Sequence, residues 1–151
     1  MVDSDHRQAE QDKAAVLMLV LDTSAISAVM HGIEGAVDRL RAEAPEQVLL
    51  VAPVAAEIQF GLERLTSGSR RRRLLEAEYN RLRRMLRWED WTEAAAVEFG
   101  RQKARLMRLG TAIEDFDIAI GSIALVLDAR LATLNVKHLA RIRGLVVEDW
   151  S

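Results

Sequence analysis

The chain has 151 residues, of which 50% are hydrophobic and 29% charged, with a net charge of -2 and no cysteine. That composition belongs to one globular domain large enough to bury a core. It excludes structural disulfides and thiolate metal sites, fits a reducing cytoplasm, and leaves any nucleic-acid binding to a local basic patch.

The longest apolar runs, such as Val48 to Ala56, are too short to span a bilayer, so no membrane association is expected. The first residues carry Asp3, Asp5, Glu10 and Asp12 against Arg7 and Lys13. A secretory signal needs a positive start, so none is read here. Residues 1–17 are expected to be a disordered tail, or an over-extended start with Met18 as the natural first residue. Residues 18–151 are expected to form the single domain.

In chain order, Met18 to Leu21 reads as a short apolar strand running into Asp22. Ser24 to Met30 looks helical, and a second amphipathic helix covers about Ile33 to Ala42. Val48 to Val51 is a second apolar strand. Pro53 suits the first turn of a helix reaching about Leu65. A polar break at Thr66 to Ser69 precedes a basic amphipathic helix from about Arg70 to Arg87. Leu75, Tyr79, Leu82 and Leu86 form its apolar stripe. Thr92 can cap the next helix, which ends near Gly110. Asp117 to Leu127 is apolar almost all round and predicts a buried helix. Leu131 to Leu134 and Leu145 to Val147 are the last strands. Short apolar strands alternating with helices predict an α/β fold, with a mainly parallel sheet of four to five strands flanked by helices.

That topology gives the acidic residues a common address. Strand C-termini of a parallel sheet lie along one edge, where ligands bind. Asp22 follows the first strand, Glu57 follows the second by a few residues, and Asn135 follows the strand Leu131 to Leu134. Asp117 opens a helix that must run back antiparallel to the sheet, so it reaches the same edge. Clustered carboxylates repel one another unless a cation compensates. Oxygen-only ligands suit Mg²⁺ or Mn²⁺, and such an ion can activate water for attack on a phosphodiester. Each residue also has a structural reading. Asp22 suits a helix cap, Glu57 and Asp117 suit the positive end of a helix, Asp115 suits a cap, and Asn135 suits a turn. Their joint placement supports a metal or phosphate site.

Four segments then carry a resemblance. They are "LVLDTSAIS", "VAPVAAEIQFGLERL", "IEDFDIAIGSIAL" and "LATLNVKHLARIRGLVVEDW". In that order they are similar to the successive motifs of PIN-domain ribonucleases, and within these to the VapC toxins of type II toxin–antitoxin pairs. The resemblance covers Met18 to Trp150. Glu57 and Gly61 match its "AEL-x-x-G" helix. Asp117, Ile120, Gly121 and Ala124 match "D-x-x-IA-x-x-A", with glycine where alanine is usual. Thr133 and Asn135 match "T-x-(N/D)".

The resemblance implies a single PIN-like domain and a metal-dependent endoribonuclease toxin leaving a 5′-phosphate and a 3′-hydroxyl. By position, Asp22, Glu57 and Asp117 would bind the ion and Asn135 would help hold it or its water. Thr23 and Thr133 would orient the carboxylates, with Asp115 a cap or a minor contributor. It also implies a homodimer, an RNA substrate and a small antitoxin lying over the acidic site. Asn135 in place of a frequent Asp leaves one-ion and two-ion chemistry open. His138 stands where an acid is frequent and reads as a surface residue. The rival readings are a PIN nuclease of RNA processing and a catalytically weak PIN fold used for binding. A phosphohydrolase of the aspartyl-phosphate type fits less well, because "LDTSA" lacks a second Asp two residues on.

Two arginine groups are candidates for RNA contact. The bland reading of both groups is a solvated face paired with Glu63, Glu76, Glu78 and Glu98, and the cluster from Arg70 to Arg73 through Arg87 fits it slightly better. Arg101, Arg105 and Arg108 share a helix face. They are the better RNA candidates, because their helix leads into the Asp117 loop. Trp88, Trp91 and Trp150 read as packing or interface residues.

Overall fold

The computed structural model describes residues 18–151, so the reading of residues 1–17 lies outside the described residues. Five strands are present: β1 (Leu19–Leu21), β2 (Val48–Val51), β3 (Arg87–Glu89), β4 (Arg130–Thr133) and β5 (Val147–Asp149). They form one sheet in the order β3-β2-β1-β4-β5, and every neighbouring pair is parallel. The helices are α1 (Thr23–Met30), α2 (Glu34–Arg41), α3 (Ala52–Glu63), α4 (Arg70–Met85), α5 (Glu93–Arg108), α6 (Asp115–Val126) and α7 (Val136–Leu139). The α/β, mainly parallel architecture expected from the alternating pattern is therefore present.

The three central strands explain the continuous apolar runs. Every residue of β1 and β2 is buried. Successive side chains of a strand point to opposite faces, so both faces of the sheet are covered. β1 sits in the middle, with Leu19 opposite Val48 on one side and Arg130 on the other. Helix α6 is the most apolar helix, with Ile118 to Ala124 all buried, and it packs along α5 and against α3. Trp150 is buried, and its backbone N–H donates to the Thr133 carbonyl at 2.9 Å, tying the end of the chain to β4.

Helix starts follow local chemistry. Ser69 and Thr92 accept from the backbone N–H groups of Arg72 and Ala95 and so cap α4 and α5. Two elements differ from expectation. The basic helix ends at Met85, and Arg87–Glu89 is an edge strand that the sequence reading did not include. Its residues are charged or aromatic and largely exposed, so no apolar run marks it. The last strand lies two residues later than expected, because Gly144 turns the chain with φ +86 and Leu145 belongs to that turn.

Candidate active site

The site is built at the C-terminal edge of the sheet, beginning with Asp22. This residue immediately follows β1 and is only 3% exposed. Its Oδ1 accepts from the Ala25 backbone N–H at 2.8 Å and from the Ser24 hydroxyl at 2.6 Å. Its Oδ2 accepts from the Thr133 hydroxyl at 2.5 Å. Asp22 is thus the N-cap of α1, as its structural reading had it, and one carboxylate oxygen faces across to the end of β4. A buried carboxylate held by three donors is fixed in position.

Thr133 also accepts from the Asn135 backbone N–H at 2.8 Å, and Ser24 accepts from the Leu134 N–H at 2.9 Å. Hydroxyls from the start of α1 and the end of β4 therefore lock these two segments together. Ser24 was read from sequence only as a helix start. The signal available was a second hydroxyl directly after "DT", and it becomes meaningful only once β4 is seen beside β1.

Glu57 lies on α3, half-buried, and its Oε1 accepts from the Thr23 hydroxyl at 2.5 Å. Asp117 lies in the first turn of α6 and is also half-buried. Burial, then the negative charges of Asp22 and Glu57, push the Asp117 carboxyl up from 3.8 to about 6. His138 opposes that rise and Glu114 adds to it. Asp22, Glu57 and Asp117 therefore share one electrostatic site although they come from three separate elements. Asn135 is exposed at the start of α7, and its amide group lies 2.8 Å from His138 Nδ1. His138 thus stands at the rim of the acidic site.

Two expected residues are placed elsewhere. Asp115 does not cap α6: Glu114 holds that position without a side-chain bond. The Asp115 carboxylate is exposed and pairs with Lys103 at 3.1 Å, because the first helical residue points its side chain outward toward α5. Arg105 does not stand free on an RNA-facing surface. Its guanidinium donates to the Arg141 carbonyl at 2.5 Å and to Gln102 Oε1 at 3.1 Å, bracing the loop after α7. Arg101 and Arg108 remain exposed. In the other basic cluster, Arg72 pairs with Glu63 and Glu76, and Arg81 with Glu78, the pairing expected of a solvated face.

Among the described residues, no three His, Asp or Glu side chains converge closely enough to cage an ion. The donor chemistry nonetheless suits a hard divalent cation. Mg²⁺ is usually held by one or two carboxylates with water completing its shell, so a closed cage is not required. The Asp117 carboxyl is raised by burial first and then by the charges of Asp22 and Glu57, and a cation would relieve that repulsion. Cavities flank the site on both sides. One of about 220 Å³ is lined by Thr23, Glu57 and Gly61, and one of about 510 Å³ by Ile113, Phe116 and His138. A larger cavity of about 770 Å³ lies away from these carboxylates, against Met30, Leu40 and Met85.

The family model for the PIN domain matches residues 19–145. The chain belongs to the PIN-domain family. Among curated members, it is 28% identical to ribonuclease VapC2 of Rickettsia felis over 97 residues, 64% of this chain and 69% of that one. It is 29% identical to the tRNA(fMet)-specific endonuclease VapC of Salmonella typhimurium over 94 residues, 62% and 68% of the two chains. The PIN fold is also seen in solved complexes. The VapBC2 structure of Rickettsia felis bound to a promoter DNA fragment superposes with a TM-score of 0.79 at 22% identity, covering 89% of this chain and 99% of that one. The DNA-bound VapBC structure of Salmonella typhimurium gives 0.77 at 24% identity, covering 89% and 98%. At those identities the likeness is one of fold. Among the described residues no helix of this PIN domain is long and apolar enough to cross a membrane.

Proposed function

We propose that this PIN domain is a VapC-type toxin, a metal-dependent endoribonuclease held in check by a small antitoxin in the cytoplasm. The observation that carries the reading is electrostatic. Three carboxylates, from the end of β1, from α3 and from α6, face one another electrostatically at the sheet edge, and burial together with the charges of Asp22 and Glu57 raises the pKa of Asp117 to about 6. A fold gains no stability from that arrangement. The two curated relatives, named as a ribonuclease and an endonuclease, support the choice of RNA as substrate.

Asp22, Asp117 and Glu57 would hold Mg²⁺, with Mn²⁺ as a substitute. The ion would supply a polarised phosphodiester oxygen and a water of lowered pKa. The residues divide the remaining work by how tightly each is held. Both oxygens of Asp22 are engaged by protein donors, so it acts as the fixed ligand. Glu57 has one oxygen held by Thr23, which aims the carboxylate and lets it position the attacking water and accept its proton. Thr23, Thr133 and Ser24 position the carboxylates rather than touch substrate. Asn135, exposed beside His138, would steady the ion's water or a phosphate oxygen. The antitoxin would cover this edge and set a cation among the carboxylates, which explains inhibition by charge compensation alone.

The test is to map RNA ends after induction of the wild type and of Asp117→Asn. Cleavage leaving 5′-phosphates that is lost in the variant and in chelator, and restored by Mg²⁺ for the wild type, is the expected result. If wild type and variant cut alike, the assigned site is wrong.

A further inference from the structure

Phe116 stands next to Asp117 and takes no part in the core. Helix α6 buries Ile118 to Ala124, whereas Phe116 is 45% exposed. A lone exposed phenylalanine is ordinary. This one shares a cavity of about 510 Å³ with Ala112, Ile113, Glu114, Asp115 and His138. The cavity adjoins the acidic site. Nδ1 of His138 lies 2.8 Å from the Asn135 amide group, and Glu114 and His138 both act on the Asp117 carboxyl. A strand of RNA with a phosphate at Asp117 would therefore lay a neighbouring base here.

We infer that this cavity takes an unstacked guanine beside the bond being cut, with Phe116 against the base and Glu114 reading its edge. The inference rests on the ribonuclease reading for the placement of the RNA. Unpaired bases are recognised by stacking on aromatic side chains and by hydrogen bonds along their Watson–Crick edges. Phe116, Ile113 and Ala112 supply apolar surface for a base, while Glu114 and Asp115 repel a phosphate. The choice among bases follows from donors and acceptors. An ionised carboxylate only accepts. Asp115 is engaged by Lys103 at 3.1 Å. Glu114 holds the N-cap position without a side-chain bond and lines the cavity, so it is the acceptor available to a ligand. Guanine alone presents two adjacent N–H donors, at N1 and the N2 amine, which match the two carboxylate oxygens. Adenine and cytosine set a ring acceptor beside their amine, and uracil flanks its N–H with carbonyls. Each of these three puts an acceptor against the carboxylate.

Amide NMR spectra of the full chain, titrated in chelator with single nucleotides, test it without any cleavage. Guanosine 5′-monophosphate is expected to shift the signals of residues 112–116 and 138. It should bind about tenfold more tightly than inosine 5′-monophosphate, which lacks only the N2 amine. Ribose 5-phosphate, which has no base, should leave those signals in place. Glu114→Gln should erase the difference between the two nucleotides. Phe116→Ala should weaken guanosine monophosphate about tenfold, and Phe116→Trp should retain it. Equal binding of the two nucleotides, equal shifts with ribose 5-phosphate, or a guanine preference that survives in Glu114→Gln would overturn the inference. Cleavage of a randomised RNA pool with Mg²⁺ separates this inference from the ribonuclease reading. Wild-type cuts should carry guanine at one fixed position beside the broken bond, and Glu114→Gln cuts should lose that bias. Cleavage with no guanine bias would overturn the inference and leave the ribonuclease reading standing. Guanine-selective binding with no cleavage of any RNA would support the pocket and refute that reading.

Discussion

Asp117→Asn should make the metal-free protein more stable above neutral pH and no more stable near pH 4. The Asp117 carboxyl is raised from 3.8 to about 6 by burial and by the charges of Asp22 and Glu57. A group raised in the folded state binds more protons there than in the unfolded chain between about pH 4 and 6. Stability then falls as pH climbs through that window and stays reduced above it. A rise of this size corresponds to about 3 kcal/mol once the carboxylate is ionised. Asp117 keeps part of its hydration, which lowers the figure to roughly 1–3 kcal/mol. Asparagine has nearly the same shape and no charge, so it removes the penalty. For a domain of this size the gain amounts to roughly 3–10 °C in Tm. The assay is urea unfolding of both proteins from pH 4 to 8 in chelator. The gap should be near zero at pH 4 and largest by pH 7. Added Mg²⁺ should narrow it by stabilising the wild type. A gap that does not change with pH, or a variant less stable than wild type at pH 8, would refute the electrostatic reading of the site.

Thr133→Val should cost roughly 1–3 kcal/mol in urea unfolding. It strips a donor from the buried Asp22 Oδ2 and an acceptor from the Asn135 N–H. Cleavage should fall with it, because Asp22 loses its orientation, while Thr133→Ser should recover both. Gly121→Ala should lie within about 1 kcal/mol of wild type in thermal melts, the helix propensity of alanine offsetting one displaced side chain. The new Cβ would come within 2.4 Å of Ile142 Cδ1, a terminal carbon that can turn aside. Gly121→Val should be clearly destabilised, since its branches leave Ile142 no such escape. Arg105→Ala should speed amide exchange in residues 141–145 and destabilise the domain by roughly 1–2 kcal/mol, because the Arg141 carbonyl loses its donor.

The central fold was legible because burial on both faces leaves an unambiguous mark. Leu19 to Leu21 and Val48 to Val51 are apolar at every position, and the structure buries every one. Capping was legible where a hydroxyl precedes a helix, as at Thr92. Edges were harder. Arg87–Glu89 and Val147–Asp149 are strands through backbone pairing with β2 and β4, and their side chains are exposed or only half-buried. Their sequences, R-W-E and V-E-D, therefore carry no pattern that hydrophobic periodicity can detect.

The site divides along the same physical line. That Asp22, Glu57 and Asp117 approach one edge follows from chain direction, because Asp22 ends β1, Asp117 lies in the first turn of α6 and Glu57 lies in the first half of the helix that follows β2. What their side chains do there depends on neighbours from distant parts of the chain. Asp115 and Asp117 are two residues apart on one helix, yet one pairs with Lys103 in solvent and the other is half-buried beside two carboxylates. Arg105 and Arg101 lie one turn apart, yet Arg105 braces the Arg141 carbonyl while Arg101 is exposed. Helical spacing assigns both arginines to one face. The loop that covers part of that face arrives from some forty residues downstream, and only its arrival separates a structural guanidinium from one exposed to solvent. Asp22 shows the two roles combined. The carboxylate that caps α1 is the one Thr133 holds from β4, so the stability of the helix start and the placement of the carboxylate at the proposed site are one constraint. A substitution at Asp22 must therefore disturb both, which makes Asp117, free of any capping duty, the residue at which function and folding can be separated.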